Sequence, residues 1–130
     1  MEGEDRRRRL EVWKLADELA RSIYRATKAF PADELYTLTS QLRHAALFVP
    51  TNIVEGYSTG GDKELGRFLD IALRSLAETK YLLHFADCLG YLPPDQQADL
   101  QGQGNALGRK LWRFCVTVKK RPSRQRPLSQ

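Results

Sequence analysis

Long apolar runs are missing from this chain of 130 residues, and nothing in it approaches the roughly 20 apolar residues that a spanning helix needs. A membrane protein is therefore not expected. Arg6-Arg7-Arg8-Arg9 leads into a charged amphipathic stretch, where a secretory signal would show an unbroken apolar one. Cysteine is scarce: Cys88 and Cys115 are too few for a disulfide framework and fit a reduced, cytoplasmic setting. Histidine is scarce too, and His44 and His84 fall on different segments. His84 and Cys88 lie one helical turn apart, but two side chains are short of the three or four ligands of a zinc site. The paired Glu-x-x-His segments of di-iron bundles are absent. Gly60-Gly61 lacks the Gly-Lys-Ser/Thr ending of a phosphate loop. No catalytic residue, no metal site and no cofactor is expected. Acid is the last absence: after Asp99 there is none.

That absence makes the charge lopsided. Up to residue 99 there are 13 Lys and Arg against 16 Asp and Glu, and from residue 100 onward eight cations and no acid. The net charge of +5 thus arises wholly at the C-terminal end. A one-sided basic end is either a solvated tail or the footprint of a polyanion binder.

No stretch alternates with period two long enough for a strand, whereas helical spacing recurs along the chain. Over residues 12–30 Val12, Ala16, Leu19, Ala20, Ile23, Thr27 and Phe30 share one side, and Pro31 ends the segment. A second helix is expected from about Asp33 to Gly56, with Leu35, Leu38, Leu42, Ala45, Ala46, Val49 and Ile53 as its stripe. Pro50 falls inside it and should kink it without ending it, since Ile53 resumes the same face. After the turn Ser58-Thr59-Gly60-Gly61, Asp62 is the expected N-cap of a third helix over 63–89. Its stripe is Leu65, Phe68, Leu69, Ala72, Leu73, Leu76, Leu83 and Ala86, stopped by Gly90 and Pro93-Pro94. The start of the fourth helix is obscured by Gly102, Gly104 and Gly108, but Leu107, Leu111, Phe114, Cys115 and Val118 share a face. The expected fold is an all-α, up-down-up-down four-helix bundle over 10–118, with a charged arm over 1–9 and a basic tail over 119–130.

Some apolar residues fall outside these stripes. Ile71, Leu82, Phe85 and Leu89 point away from the Leu69/Leu76 line, and Phe48 lies nearly opposite its helix's stripe, with Leu47 and Val54 to one side. Either both central helices are wrapped by a broad core, or these side chains form a subunit interface; the second reading is preferred because they recur on one side.

The basic end is read residue by residue. Arg109, Lys110, Arg113, Lys119, Lys120, Arg121, Arg124 and Arg126 are the expected nucleic-acid contacts, with Arg6–Arg9 a second cluster offset by Glu2, Glu4 and Asp5. One or two cations suffice to complement a helix dipole, and eight without an acid exceed that need. Trp112 on the adjacent surface has an indole able to stack on an unpaired base, which favours RNA over duplex DNA if it is exposed. An acidic protein partner is the competing reading, and a solvated tail the plainest one.

Three segments carry a family resemblance. Val49-Pro50-Thr51-Asn52-Ile53-Val54-Glu55-Gly56-Tyr57 resembles the "hydrophobic-Pro-x-Asn-Ile-x-Glu-Gly-aromatic" signature of the bacterial four helix bundle family, the intervening-sequence proteins of large-subunit ribosomal RNA. Phe68-Leu69-Asp70-Ile71-Ala72-Leu73-Arg74-Ser75-Leu76-Ala77-Glu78 is similar to its second motif and Leu89-Gly90-Tyr91-Leu92 to its third, while Leu10–Ala16 resembles its opening helix. The resemblance covers about residues 10–92 and implies the bundle fold and a ring of five subunits. It assigns no catalytic residue. For Pro50, Asn52, Glu55, Gly56 and Glu78 a structural role is expected, the polar ones through interhelical or intersubunit hydrogen bonds. The accessory proteins of diversity-generating retroelements resemble the same architecture. They imply a non-catalytic, homopentameric partner of RNA and of a reverse transcriptase. A protein-only scaffold, or an intervening-sequence protein of undefined role, is the alternative.

Overall fold

The computed structural model describes residues 2–122. Four helices account for most of them: α1 over Glu2–Thr27, α2 over Leu38–Ser58, α3 over Asp62–Cys88 and α4 over Pro94–Lys119. Each packs on its neighbours in sequence and α1 closes on α4, whereas the diagonal helices stay apart at the backbone and meet only through core side chains, as the stacked rings of Tyr57 and Phe114 do. This is a square, antiparallel four-helix bundle.

The core follows the helical stripes. Val12, Leu19 and Ile23 of α1 meet Leu42, Val49 and Ile53 of α2, Leu65, Leu69 and Leu83 of α3, and Leu107, Leu111 and Phe114 of α4, all sealed from solvent. Each such side chain contributes about 1.5–3 kcal/mol through the apolar area it withdraws from water. In a square bundle every helix touches two partners roughly at right angles, so the buried arc is wider than a single stripe. Leu82 illustrates this. It was expected at a subunit interface, yet it is only 8% exposed and lies in the monomer's core.

Several boundaries differ from the sequence pattern. Helix α1 begins at Glu2, so residues 2–9 are its first two turns and not a separate arm. Pairs of Glu4 with Arg7 (2.6 Å) and Arg8 (3.5 Å), at helical spacing, support that start. The helix ends at Thr27, and residues 28–30 continue as tighter i→i+3 turns ahead of Pro31.

Helix α2 starts at Leu38 and not near Asp33. Pro31 is extended (φ −55°, ψ 143°), Ala32–Glu34 form one 3₁₀ turn, and Thr37 leaves helical geometry (φ −122°, ψ −102°). Leu35 follows that turn and is exposed; its three-residue spacing from Leu38 matches an α-helical stripe in the sequence, but the break at Thr37 takes it off the buried face. Glu34 anchors the segment, accepting from Thr37 Oγ1 at 2.5 Å and from the Tyr91 hydroxyl at 2.9 Å. These two donors hold its carboxyl below the usual range.

Pro50 sits inside an unbroken α2 and is buried. Its ring leaves the Ala46 carbonyl without the usual donor. In the same turn Thr51 Oγ1 donates to the Leu47 carbonyl at 2.8 Å and Asn52 Nδ2 to the Phe48 carbonyl at 2.7 Å. Asn52 therefore bonds within its own helix, not between helices. Glu55 and Glu78 are exposed, and neither carboxylate has an interhelical hydrogen bond among the described residues. Gly56 does not stop α2, which continues to Ser58; a Cβ there would lie 2.9 Å from Leu65 Cδ1 and 3.2 Å from Phe68 Cβ, so the glycine lets α2 and α3 approach closely.

Asp62 is the first residue of α3 and not its cap, which is Gly61. At the other end Gly90 takes φ 78°, with Tyr91 N–H bonded to Ala86 O (3.0 Å) and Gly90 N–H to Asp87 O (2.9 Å). This double closure satisfies the last carbonyls of α3 and needs a residue free to adopt positive φ. Pro94 opens α4, and the helix runs straight through Gly102, Gly104 and Gly108.

Candidate nucleic-acid interface

Helix α4 carries the basic end, and the fold divides its cations into two groups. Lys110 reaches Glu11 of α1 at 3.1 Å. Lys119 donates to Asp70 of α3 at 2.5 Å. Arg121 bonds Asp5 of α1 and, at 3.4 Å, Asp62 of α3. Linear sequence places no acid near these three, whereas the bundle lays the N-terminal halves of α1 and α3 alongside the C-terminal half of α4. Arg121 is thus a clasp across three helices, and Lys110, Lys119 and Arg121 are partly neutralised.

Lys119 also shapes its surroundings. Its hydrogen bond holds the Asp70 carboxyl below the usual range, with a smaller contribution from Cys115, and Asp70 in turn raises the Lys119 ammonium. Burial, and then the Asp70 carboxylate at 3.4 Å, push the Cys115 thiol up to about 11. Such a thiol is inert at neutral pH.

Arg109, Arg113 and Lys120 are exposed and have no ion pair among the described residues. Arg109 and Arg113, one turn apart, face different neighbours. Arg113 and Lys110 line a groove of about 350 Å³ against α1, where Arg7 and Arg8 form the opposite wall. Four cations there face only Glu4 and Glu11. The N-terminal and C-terminal basic clusters, at opposite ends of the sequence, thus converge on one surface. Arg109 instead borders the groove toward α3, beside Trp112. Trp112 is 59% exposed, which meets the condition for stacking an unpaired base. Lys80 of α3 joins this second groove; as a single cation within an amphipathic helix it carries no signal in the sequence. Arg9 lies over the Tyr57 ring at 4.4 Å. Arg124 and Arg126 lie outside the described residues.

The expected interface residues separate as well. Phe48, Phe85 and Leu89 are exposed at 41%, 43% and 46%, Ile71 is half-buried, and Leu82 belongs to the core. Tyr81, missed in the sequence because it falls just outside the stripe, is exposed with its ring 6.3 Å from Phe85. Cys88 Sγ and His84 Nε2 stand 3.5 Å apart, and no group of three metal-ligating side chains occurs among the described residues. No described helix is long and apolar enough to cross a membrane.

Comparison with known proteins adds two findings. Residues 8–113 match the family model of the 23S rRNA-intervening sequence proteins. A crystal structure of a protein of unknown function from the S23 ribosomal protein family of Bacteroides thetaiotaomicron superposes with a TM-score of 0.76 at 17% identity, covering 84% of this chain and 98% of the other. At that identity the likeness establishes the fold alone. No curated protein matches the chain.

Proposed function

The chain belongs to the 23S rRNA-intervening sequence protein family, and we propose that it is a non-catalytic, homo-oligomeric RNA-binding protein of the cytoplasm. The observation that carries this reading is the convergence of Arg7 and Arg8 with Lys110 and Arg113 across the α1/α4 groove. Cations from two distant segments share a surface in which they outnumber acids, which is the electrostatic pattern that tracks a phosphate backbone. The family's name ties it to the 23S ribosomal RNA gene, in keeping with an RNA partner.

Exposed Phe48, Phe85 and Leu89 support self-association, and the resemblance to retroelement accessory proteins supports a ring of five and service to a reverse transcriptase. A symmetric ring would repeat the basic strip once per subunit, so that weak phosphate contacts add by effective concentration. Fluorescence polarisation against labelled RNA at several salt concentrations tests the reading. Binding should weaken steeply with salt, by about 0.7 in the log–log slope for each phosphate neutralised on a single strand. Arg113→Glu should weaken it further. Absence of binding at moderate salt leaves the protein-only scaffold as the function.

A further inference from the structure

The groove between α3 and α4, about 500 Å³ and open to solvent, differs in chemistry from the basic strip beside α1. Its floor is apolar, made by Leu73, Leu76 and Ala77. Trp112 forms one wall, with more than half of its surface exposed. Arg109 and Lys80 stand on its rim, and no carboxylate lines it. Lys80 is guided there by Gly104: a Cβ at that position would lie 3.3 Å from Lys80 Cγ, so the bare glycine gives the lysine stem room against α4.

From this arrangement we infer that the α3/α4 groove is a seat for an unpaired nucleotide of single-stranded RNA, its base stacked on Trp112 and its phosphate held by Arg109 and Lys80. The inference rests on the RNA-binding reading above and assigns a strand type and a place that the reading leaves open. Asn105, Arg109 and Trp112 follow one another along α4 at spacings of four and three residues, so they present one face over about 10 Å. Each supplies a different kind of contact. The indole offers a flat π surface that any base can meet. The guanidinium, one turn away, suits a phosphate through paired N–H donors. The Asn105 amide both donates and accepts, as a base edge requires. The cations and the lack of acid match a nucleotide's charge, whereas an acidic peptide would leave the indole and the apolar floor without a flat partner. A duplex would not enter, because its bases are already stacked on one another.

The test uses the full-length chain carrying Trp13→Phe, which leaves Trp112 as its one tryptophan; Trp13 lies on α1, outside this groove. A labelled oligouridylate and an RNA duplex of the same length are titrated, reading polarisation of the RNA and Trp112 fluorescence together. The single strand should quench Trp112 and the duplex should not. Trp112→Ala should weaken the single strand about tenfold or more, Trp112→Phe should restore most of the affinity, and duplex affinity should stay unchanged. If the single strand binds by polarisation but Trp112 is not quenched and Trp112→Ala binds equally well, the groove is not the seat, while the RNA-binding reading stands. If neither RNA binds, both fall. If Trp112→Ala instead changes the mass seen by light scattering, the groove is occupied by a second copy of the chain and the inference is overturned.

Discussion

Replacing Gly56 and Gly102 separately by alanine probes the close approach of α2 and α3. Both glycines are helical, so each substitution gains about 0.5–1 kcal/mol, since glycine has more backbone freedom to lose on folding. Gly102 has no neighbouring atom within 4 Å of the added methyl, and that gain is kept. At Gly56 the methyl meets Leu65 Cδ1 at 2.9 Å and Phe68 Cβ at 3.2 Å. Leu65 is fully enclosed and cannot swing aside without displacing other core atoms. Phe68 Cβ is fixed to the α3 backbone, so the helix itself must give. Overpacking of this kind costs about 1–3 kcal/mol. The net for Gly56→Ala is a loss of up to about 2.5 kcal/mol, against the gain kept by Gly102→Ala. At about 4 °C per kcal/mol for a domain of this size, Gly102→Ala should raise Tm by about 2–4 °C and Gly56→Ala should lower it by up to about 10 °C. Thermal and urea unfolding at one fixed protein concentration read both, the concentration being held because self-association shifts apparent stability. If Gly56→Ala is as stable as Gly102→Ala, the helices are further apart than 2.9 Å implies and the packing argument is wrong.

Three further outcomes follow from the same packing. Leu82→Asp should unfold the subunit, as a buried unpaired charge does, whereas Phe85→Asp should leave helicity intact by circular dichroism and lower the mass seen by light scattering; equal effects would undo the division of the two residues between core and surface. Removing residues 123–130, and with them Arg124 and Arg126, should flatten the salt slope of RNA binding by about 1.4 per bound tail. Cutting back to residue 118 should also destabilise the fold, because it removes the contacts of Lys119 with Asp70 and of Arg121 with Asp5 and Asp62. Asp70→Asn should cost less than about 1 kcal/mol at neutral pH, since the pair is partly exposed. The folded-state pKa of Asp70 is depressed, so its contribution is present above the ordinary value of 3.8 and disappears as pH falls through the lower folded value. The raised Lys119 value loses its contribution at the other extreme, as pH rises past 10.5 through the folded value. Urea titrations of the Asp70→Asn variant and the parent should therefore differ at neutral pH and converge in strong acid.

The sequence by itself determined the four helices, their buried faces and the C-terminal stop of α3, because each depends on contacts within a few residues. Spacing of apolar side chains at 3.6 residues per turn marks a face wherever it lies in the chain, and a glycine before Tyr91 signals positive φ without knowledge of any neighbour. The same periodicity misplaced the start of α2, since Leu35 and Leu38 keep a helical spacing in the sequence although Thr37 breaks the helical geometry between them. The candidate site was only half legible. Eight cations without an acid are visible as composition, but which of them face solvent depends on what the bundle folds against α4. Asp5, Glu11, Asp62 and Asp70 are 49 to 116 residues from the cations they meet, and no local rule connects them. Charge along a chain is additive, whereas charge at a surface depends on distance, and distance is set only when the helices pack. Tertiary structure alone therefore decided that Lys110, Lys119 and Arg121 fasten the bundle, that Arg113 joins Arg7 and Arg8, and that Trp112 stands open beside Arg109 and Lys80.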